Sequence, residues 1–285
     1  MATQILSLTP TNNTDGDFRG WGKAISDALT AFQLTKTADT GQIDWTTVLK
    51  PATINTYQGY EIRKFTDSLQ PVFFKIEYGS GGTLNFPSLR FSFGTGSDGA
   101  GIITAPVSVT AITNLVVTSG TSNTPQSCYL SGSSNRFGLG LFVSSAAGFY
   151  ICAGRSKNQI NGSDTSEALL ISRSAGSAGI LNYYFNFISS PVAEASGIVV
   201  PTVGGSGADG TNINIYPNYF YRGGTPIVGL NSVGIFNNDF QGTNPVPLTL
   251  LGTPRNYYFL GGNSPQLNSV ARSGTAGTGI GMLFE

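Results

Sequence analysis

A chain of 285 residues with fifteen basic and fifteen acidic side chains and a net charge of zero carries no electrostatic footprint for nucleic acid or for an anionic membrane surface. Only 11% of its residues are charged while 40% are hydrophobic; this excludes a disordered chain and leaves Ser, Thr and Asn, or neighbouring subunits, to cover much of the surface. The absence of histidine removes Ser-His-Asp and Cys-His catalysis, the HExxH metalloprotease pattern and most zinc sites.

In chain order, Gln4–Leu8 reads as a short strand closed by Pro10 and the turn-rich TNNTDGD. The opening MATQILSLTPTNNTDGD lacks the basic start and long apolar run of a signal peptide, and no later stretch is apolar enough to span a bilayer. A soluble product without membrane insertion is expected. Phe18, Trp21, Ile25, Leu29 and Phe32 recur at three- and four-residue steps, which predicts an amphipathic helix over Asp17–Gln33 with Asp17 or Asp15 as its cap. Gly20 and Gly22 each weaken that helix by about 1 kcal/mol relative to Ala, so packing of Trp21 must hold it. Two roles suit such a helix: plugging one end or face of a β architecture, or docking against a neighbouring subunit.

Thr37–Trp45 is turn-like, Thr46–Lys50 reads as a short strand ended by Pro51, and Tyr57–Phe65 as a strand with Tyr60 and Ile62 flanking polar Glu61 and Arg63. The stretch around which the chain is organised is Pro71–Gly99. Val72, Phe74, Ile76 and Tyr78 alternate with Phe73, Lys75 and Glu77, and Leu89, Phe91 and Phe93 alternate with Arg90 and Ser92. Period two in both runs, joined by a glycine-rich loop, predicts an antiparallel hairpin with one face in the core.

Further strands are expected at Ile102–Thr104, Val107–Val117, Cys128–Leu130, Phe137–Val143, Gly148–Ala153, Glu167–Arg173 and Ile180–Ile188. They continue at Gly197–Val203, Asn212–Tyr216, Ser232–Phe236, Pro247–Leu251, Asn256–Leu260 and Ile280–Phe284. Many short strands punctuated by Gly, Ser, Asn and Pro indicate an all-β fold, β-sandwich or jelly-roll-like, with one N-terminal amphipathic helix. Residues 1–285 read as a single β-rich domain with a helix-containing segment over about 1–50. The Gly/Ser-rich stretches 189–208 and 260–278 are surface loops or arms that order on a neighbouring subunit.

No motif singles out catalytic, cofactor-binding or metal-binding residues. Gly94-Thr95-Gly96-Ser97-Asp98-Gly99 matches a dinucleotide fingerprint, but a β-branched run with Pro106 follows where the phosphate-binding helix should stand. It reads as a loop whose glycines serve positive φ. Glu61 and Glu77 on strands and Asp67, Asp98, Asp164, Asp209 and Asp239 on loops define no acid pair. Asp15-Gly16, Asp98-Gly99 and Asp209-Gly210 read as turn formers, and no EF-hand or nonapeptide calcium pattern is present. The aromatic runs Tyr183, Tyr184, Phe185, Phe187, then Tyr216, Tyr219, Phe220, Tyr221, then Tyr257, Tyr258, Phe259 suit core plus subunit interface, with a ligand groove as the alternative. Cys128 and Cys152 read as small buried hydrophobes rather than a disulfide.

Three segments, DFRGWGKAISDALTAFQLTKTADTGQIDW, NTYQGYEIRKFTDSLQPVFFKIEYGSG and LRFSFGTGSDGAG, resemble a recurring stretch of tailed-bacteriophage structural proteins. The resemblance covers residues 15–101. It implies a non-enzymatic virion subunit assembled in the host cytoplasm, whose partners are other virion structural proteins, and it brings no catalytic residues to carry over. The charge-poor composition agrees with a homo-oligomer, and a tail-associated role is the favoured expectation. Alternatives are a fibre or adhesin domain gripping a host surface glycan, a head decoration or neck protein, and a glycan-depolymerising tailspike. The last is disfavoured by the missing acid pair and the absence of a β-helix repeat.

Overall fold

The computed structural model describes residues 2–8, 11–81 and 84–106, the further strands named below, the turn at 134–135 and residue 163. Strand β1 (Ala2–Leu8) and helix α1 (Asp15–Ala31) precede β2 (Thr35–Lys36), β3 (Tyr57–Lys64), β4 (Phe73–Ser80), β5 (Pro87–Ser97), β6 (Ile103–Pro106) and β7 (Leu115–Val116). Then come β8 (Gln126–Ser133), β9 (Arg136–Phe142), β10 (Gly148–Lys157), β11 (Asp164–Arg173) and β12 (Tyr184–Phe187). The series closes with β13 (Asn214–Pro217), β14 (Tyr219–Arg222), β15 (Thr225–Val228), β16 (Val233–Asn237), β17 (Val246–Leu250), β18 (Thr253–Gly261) and β19 (Thr278–Leu283). The protein is therefore mostly β, with one helix near its N-terminus among the described residues.

Every strand pairing among the described residues is antiparallel, in three sheets. A six-stranded sheet runs β2-β3-β4-β5-β6 with β7 also on β5. An eight-stranded sheet runs β1-β8-β9-β10-β11-β12 with β15 joining β10 and β14, and a five-stranded sheet runs β13-β16-β19-β18-β17. Strands β14 and β15 were not anticipated. The expected segment Gly197–Val203, most of Val107–Val117, the stretch 189–208 and nearly all of 260–278 lie outside the described residues.

The β4–β5 hairpin forms as its alternation predicts. Phe74 pairs with Phe93, Ile76 with Phe91 and Tyr78 with Leu89, and all six are buried while Phe73, Lys75, Glu77, Arg90 and Ser92 are half-exposed. Across from this face stands the eight-stranded sheet: the Phe137 ring of β9 lies 4.8 Å from Phe74 and 6.2 Å from Phe91. Leu130, Leu139, Ile151 and Cys128 extend the same core. Cys128 and Cys152 are free and buried, as their sequence context suggested, and burial pushes the Cys152 thiol up to about 12.

Helix α1 starts two residues before the periodicity implied, and its cap is neither aspartate. Thr14 is the N-cap: its hydroxyl accepts the Asp17 N–H at 3.1 Å while the Asp17 carboxylate accepts the Thr14 N–H at 3.0 Å, a reciprocal capping box. Asp15 sits in the first turn, where its charge suits the helix dipole, and takes the Lys50 N–H at 2.9 Å. Asp15-Gly16 is thus helix rather than turn. At the other end Gln33 adopts a left-handed φ of 67°, with Gln33 N–H on Thr30 O and Leu34 N–H on Leu29 O, the bonding pattern that closes a helix.

The buried face of α1 carries Phe18, Trp21, Ile25, Ala28 and Leu29. Trp21 lies 5.9 Å from Tyr78, and Trp45 meets Tyr78 edge-on at 4.8 Å. Gly22 is what admits Trp45: a Cβ there would stand 2.2 Å from the indole ring. The helix therefore packs on the inner face of the six-stranded sheet, and Phe32 at its end reaches Gly132 of β8.

Two further local readings are corrected. Thr46–Lys50 is not a strand, because the Asp44 carboxylate captures the Thr46 N–H at 2.9 Å and both the Thr46 and Thr47 hydroxyls, bending the chain into a turn. The first four residues of the Gly94–Gly99 motif belong to β5, where Gly96 is small because a Cβ would meet the Thr104 hydroxyl at 2.4 Å. Within that motif only Gly99 has positive φ.

Candidate functional site

Among the described residues the densest polar constellation is buried between α1 and β3. Register decides it: Glu61 pairs with Ile76 and Arg63 with Phe74, so the two charged residues share the inner face of the sheet with the apolar core. Tyr60 and Ile62 take the opposite face. Both charges are sequestered, with side-chain exposures of 0% and 1%, and this is sustainable only with full pairing.

The pairing is extensive. The Arg63 guanidinium donates to Glu61 Oε2 from Nε at 3.1 Å and from Nη2 at 3.0 Å. Glu61 Oε1 accepts from Ser26 Oγ at 2.7 Å, from Trp45 Nε1 at 3.1 Å and from Lys36 Nζ at 3.4 Å. The Tyr78 hydroxyl donates to Oε2 at 3.4 Å. Arg63 spends its other donors on Leu34 O, Ser26 O and the Thr30 hydroxyl, each within 3.0 Å. The last turn of α1 holds no basic residue, so this guanidinium from β3 supplies the positive charge at the helix C-terminus.

Burial alone would raise the Glu61 pKa, but Arg63, the Ser26 hydroxyl, Lys36 and the Trp45 N–H together hold it below the ordinary carboxylate range. The Tyr78 phenol is pushed well up by burial and by the adjacent carboxylate.

A second fixed charge joins the sheets. Arg155 of β10, 1% exposed, grips Asp67 through Nε at 2.9 Å and Nη2 at 2.8 Å, and also reaches Gln70 O and Ser166 O. A bidentate, buried guanidinium fixes geometry better than a point charge. On the outer face of the hairpin Glu77 lies between Arg90 and Lys75. Arg90 covers the Tyr57 ring at 4.3 Å and Lys75 covers Tyr60 at 4.5 Å. Beside β2 and β3 opens a cleft of about 390 Å³ lined by Lys36, Thr37, Asp39, Lys64, Phe73 and Ser97, among others. Asp39 within it accepts from the Thr37 and Ser97 hydroxyls and from Gly101 N–H.

The acids listed from sequence are not brought together as a reacting pair. Glu61 and Glu77 stand on opposite faces of the sheet, Asp67 is held by Arg155, Asp98 closes its own turn by accepting Ala100 and Ile102 N–H, and Asp164 opens β11. Asp209 and Asp239 lie outside the described residues. Burial works to raise the pKa of Glu61, Glu77 and Asp39, but charge partners and hydrogen bonds prevail, and Asp44 and Asp98 are lowered chiefly by hydrogen bonds. A general acid for glycoside cleavage needs the opposite displacement. Among the described residues no three Asp, Glu, Cys or His side chains gather as a metal site, and no helix is long and apolar enough to cross a membrane. Of the aromatic runs, Tyr184, Phe185 and Phe187 fall in β12, Tyr216 in β13, Tyr219, Phe220 and Tyr221 in β14, and Tyr257, Tyr258 and Phe259 in β18.

The inward face of Glu61 and Arg63 escaped sequence reasoning: Tyr60 and Ile62 carry the larger apolar surface yet take the outer face, and a bulge between Tyr57 and Gly59 breaks the alternation along the strand. No protein-family model matches the chain, and neither a curated protein nor a solved structure matches it.

Proposed function

We propose that the protein is a non-enzymatic structural subunit of a tailed-bacteriophage virion, tail-associated and working as a homo-oligomer beside other virion proteins. The observation that carries this reading is the stretch 15–101 and its resemblance to phage structural proteins. The architecture supports it in physical terms. Only 11% of the chain's residues are charged and the Glu61–Arg63 pair is buried within the fold, a charge-poor composition that suits a surface covered by closed symmetry. At finer grain we read the six- and eight-stranded sheets, meeting at Phe74, Phe91 and Phe137, as a β-sandwich of jelly-roll type with α1 covering one end.

Light scattering on the purified chain, immunogold labelling of purified virions and an assay for sugar released from host envelope polysaccharide test the proposal together. An oligomer that labels the particle and releases no sugar is expected. A monomer that cleaves glycan and is missing from virions would overturn it.

A further inference from the structure

The outer face of the six-stranded sheet divides into a satisfied part and an unsatisfied one. Over most of β3, β4 and β5 its charges and rings answer each other: Glu77 lies between Arg90 and Lys75, Arg90 covers the Tyr57 ring and Lys75 covers Tyr60. At the end of the face nearest β2 the register sets Thr35 beside Lys64 and Lys64 beside Phe73, and there the pairing stops. Thr35 and Lys64 are exposed and Phe73 is half-buried. Among the described residues nothing pairs with the Lys64 ammonium or the Thr35 hydroxyl, and no ring or cation covers Phe73. Lys36, next to Thr35, turns its ammonium the other way, to Glu61. This unpartnered row lines the cleft of about 390 Å³ described above, together with Asp39, Thr37 and Ser97. The Asp39 carboxylate is fixed there by the Thr37 and Ser97 hydroxyls and by the Gly101 N–H.

We propose that this cleft binds a saccharide, holding one pyranose ring against Phe73 with Lys64, Thr35 and Asp39 on its hydroxyls. The side chains select that class by what they leave open. An aromatic face carries negative charge density and so receives the C–H face of a sugar ring. Sugar hydroxyls both donate and accept, and the cleft presents a donor in Lys64, an acceptor in Asp39 and a group that does either in Thr35. Three neighbouring donors occupy three of the about four lone-pair positions of Asp39, which sets its orientation in advance and leaves room for one ligand hydroxyl. A purely apolar ligand would leave these polar groups unpaired. A phosphate would find one free ammonium and meet the Asp39 carboxylate in the same cleft. A calcium ion takes about 6–8 oxygens, and among the described residues no three acids gather to supply them. The volume lies low in the range of about 300–1,000 Å³ for small-molecule sites, room for a short saccharide. Glycoside cleavage needs a pair of carboxylates and Asp39 is the one acid lining the cleft, so the site holds its ligand without hydrolysing it. Binding of this kind goes beyond the structural-subunit reading and does not depend on it.

Saturation-transfer NMR on the full chain tests this, with glucose, galactose, N-acetylglucosamine and glucuronic acid as probes. At least one sugar should take up saturation, most strongly on the C–H protons of one ring face, and Phe73→Ala should abolish the transfer. Lys64→Met, at an exposed position, should weaken binding about tenfold or more, the worth of a hydrogen bond to a charged group. Ser92→Ala, on the same face but outside the cleft, should leave binding unchanged. Unaltered tryptophan fluorescence and thermal melts establish that each variant is folded. Should Phe73→Ala fail to fold, Phe73→Leu takes its place, because it keeps apolar volume and removes the ring. No transfer to any of the four sugars overturns the proposal. So does transfer that survives the loss of the Phe73 ring and of the Lys64 charge, and so does displacement of the sugar by inorganic phosphate at constant ionic strength.

Discussion

Replacing Glu61 by Gln removes one charge and almost no volume, so it isolates what the buried network contributes. The amide retains one acceptor, which serves either Ser26 and Trp45 or Arg63 but not both sets. Two charge-assisted bonds from Arg63, at 3.1 and 3.0 Å, lose their anion, and the guanidinium stays at 1% exposure with no counter-charge beside it other than distant ones. Breaking a buried pair from one side costs about 3–5 kcal/mol, a large share of the 5–15 kcal/mol typical of folded domains. Urea unfolding followed by tryptophan fluorescence measures the loss directly.

The pH dependence supplies an independent arm. Because the folded-state pKa of Glu61 lies below its ordinary value of 4.5, its stabilisation is complete above that pH and is lost as pH falls through the folded value. The gap between wild type and Glu61→Gln should therefore be constant at neutral pH and shrink in acid. A gap under about 1 kcal/mol at pH 7, or one that persists undiminished into strong acid, would refute the reasoning.

Two helix glycines should respond with opposite sign. Gly20→Ala, with open space around the new methyl, should gain about 0.5–1 kcal/mol, whereas Gly22→Ala drives a carbon into the Trp45 ring and should lose about 1–3 kcal/mol; thermal melts of the pair separate them. Trp21→Ala, at a residue only 2% exposed whose Nε1 donates to Asn12 Oδ1 at 3.0 Å, should lose about 3–5 kcal/mol or prevent soluble expression. Equal denaturation midpoints for wild type and Trp21→Ala would contradict that packing. The thiols of Cys128 and Cys152, buried and raised, should resist alkylation in the native protein and react only on unfolding, which mass spectrometry after a pulse of iodoacetamide reads out.

Where one face of an element meets water, the residues announced it. The hairpin of β4 and β5 and the stripe from Phe18 to Phe32 are legible because polar and apolar side chains divide by period. Strand β3 was expected at Tyr57–Phe65 and forms at Tyr57–Lys64, but its inward face is illegible by the same rule. Its core-facing positions are filled by Glu61 and Arg63, and a periodicity argument has no means of knowing that Ser26, Trp45 and Lys36, distant in sequence, will converge on a carboxylate. The N-cap was missed for a smaller reason: Thr14, Asp15 and Asp17 are all competent, and only geometry shows that Thr14 and Asp17 act on each other. Gly22 looked like a weakness until the tertiary neighbour that needs its hydrogen, Trp45, was in place. No candidate reacting pair was legible, and Glu61, Glu77, Asp67 and Asp98 are each committed to partners within the fold.

The pairing of β1 with β8 also sets a schedule. At about 5–20 residues per second of synthesis, β8 follows β1 out of the ribosome by roughly 6–25 s. In that interval α1 and β2 to β6 can complete their own layer, since their contacts are local to the first hundred or so residues, and Asn12 can already lock the segment behind β1 by donating to Gly79 O and accepting from Trp21. The nascent chain thus holds an uncharged strand on a short tether beside a finished layer, waiting for its template.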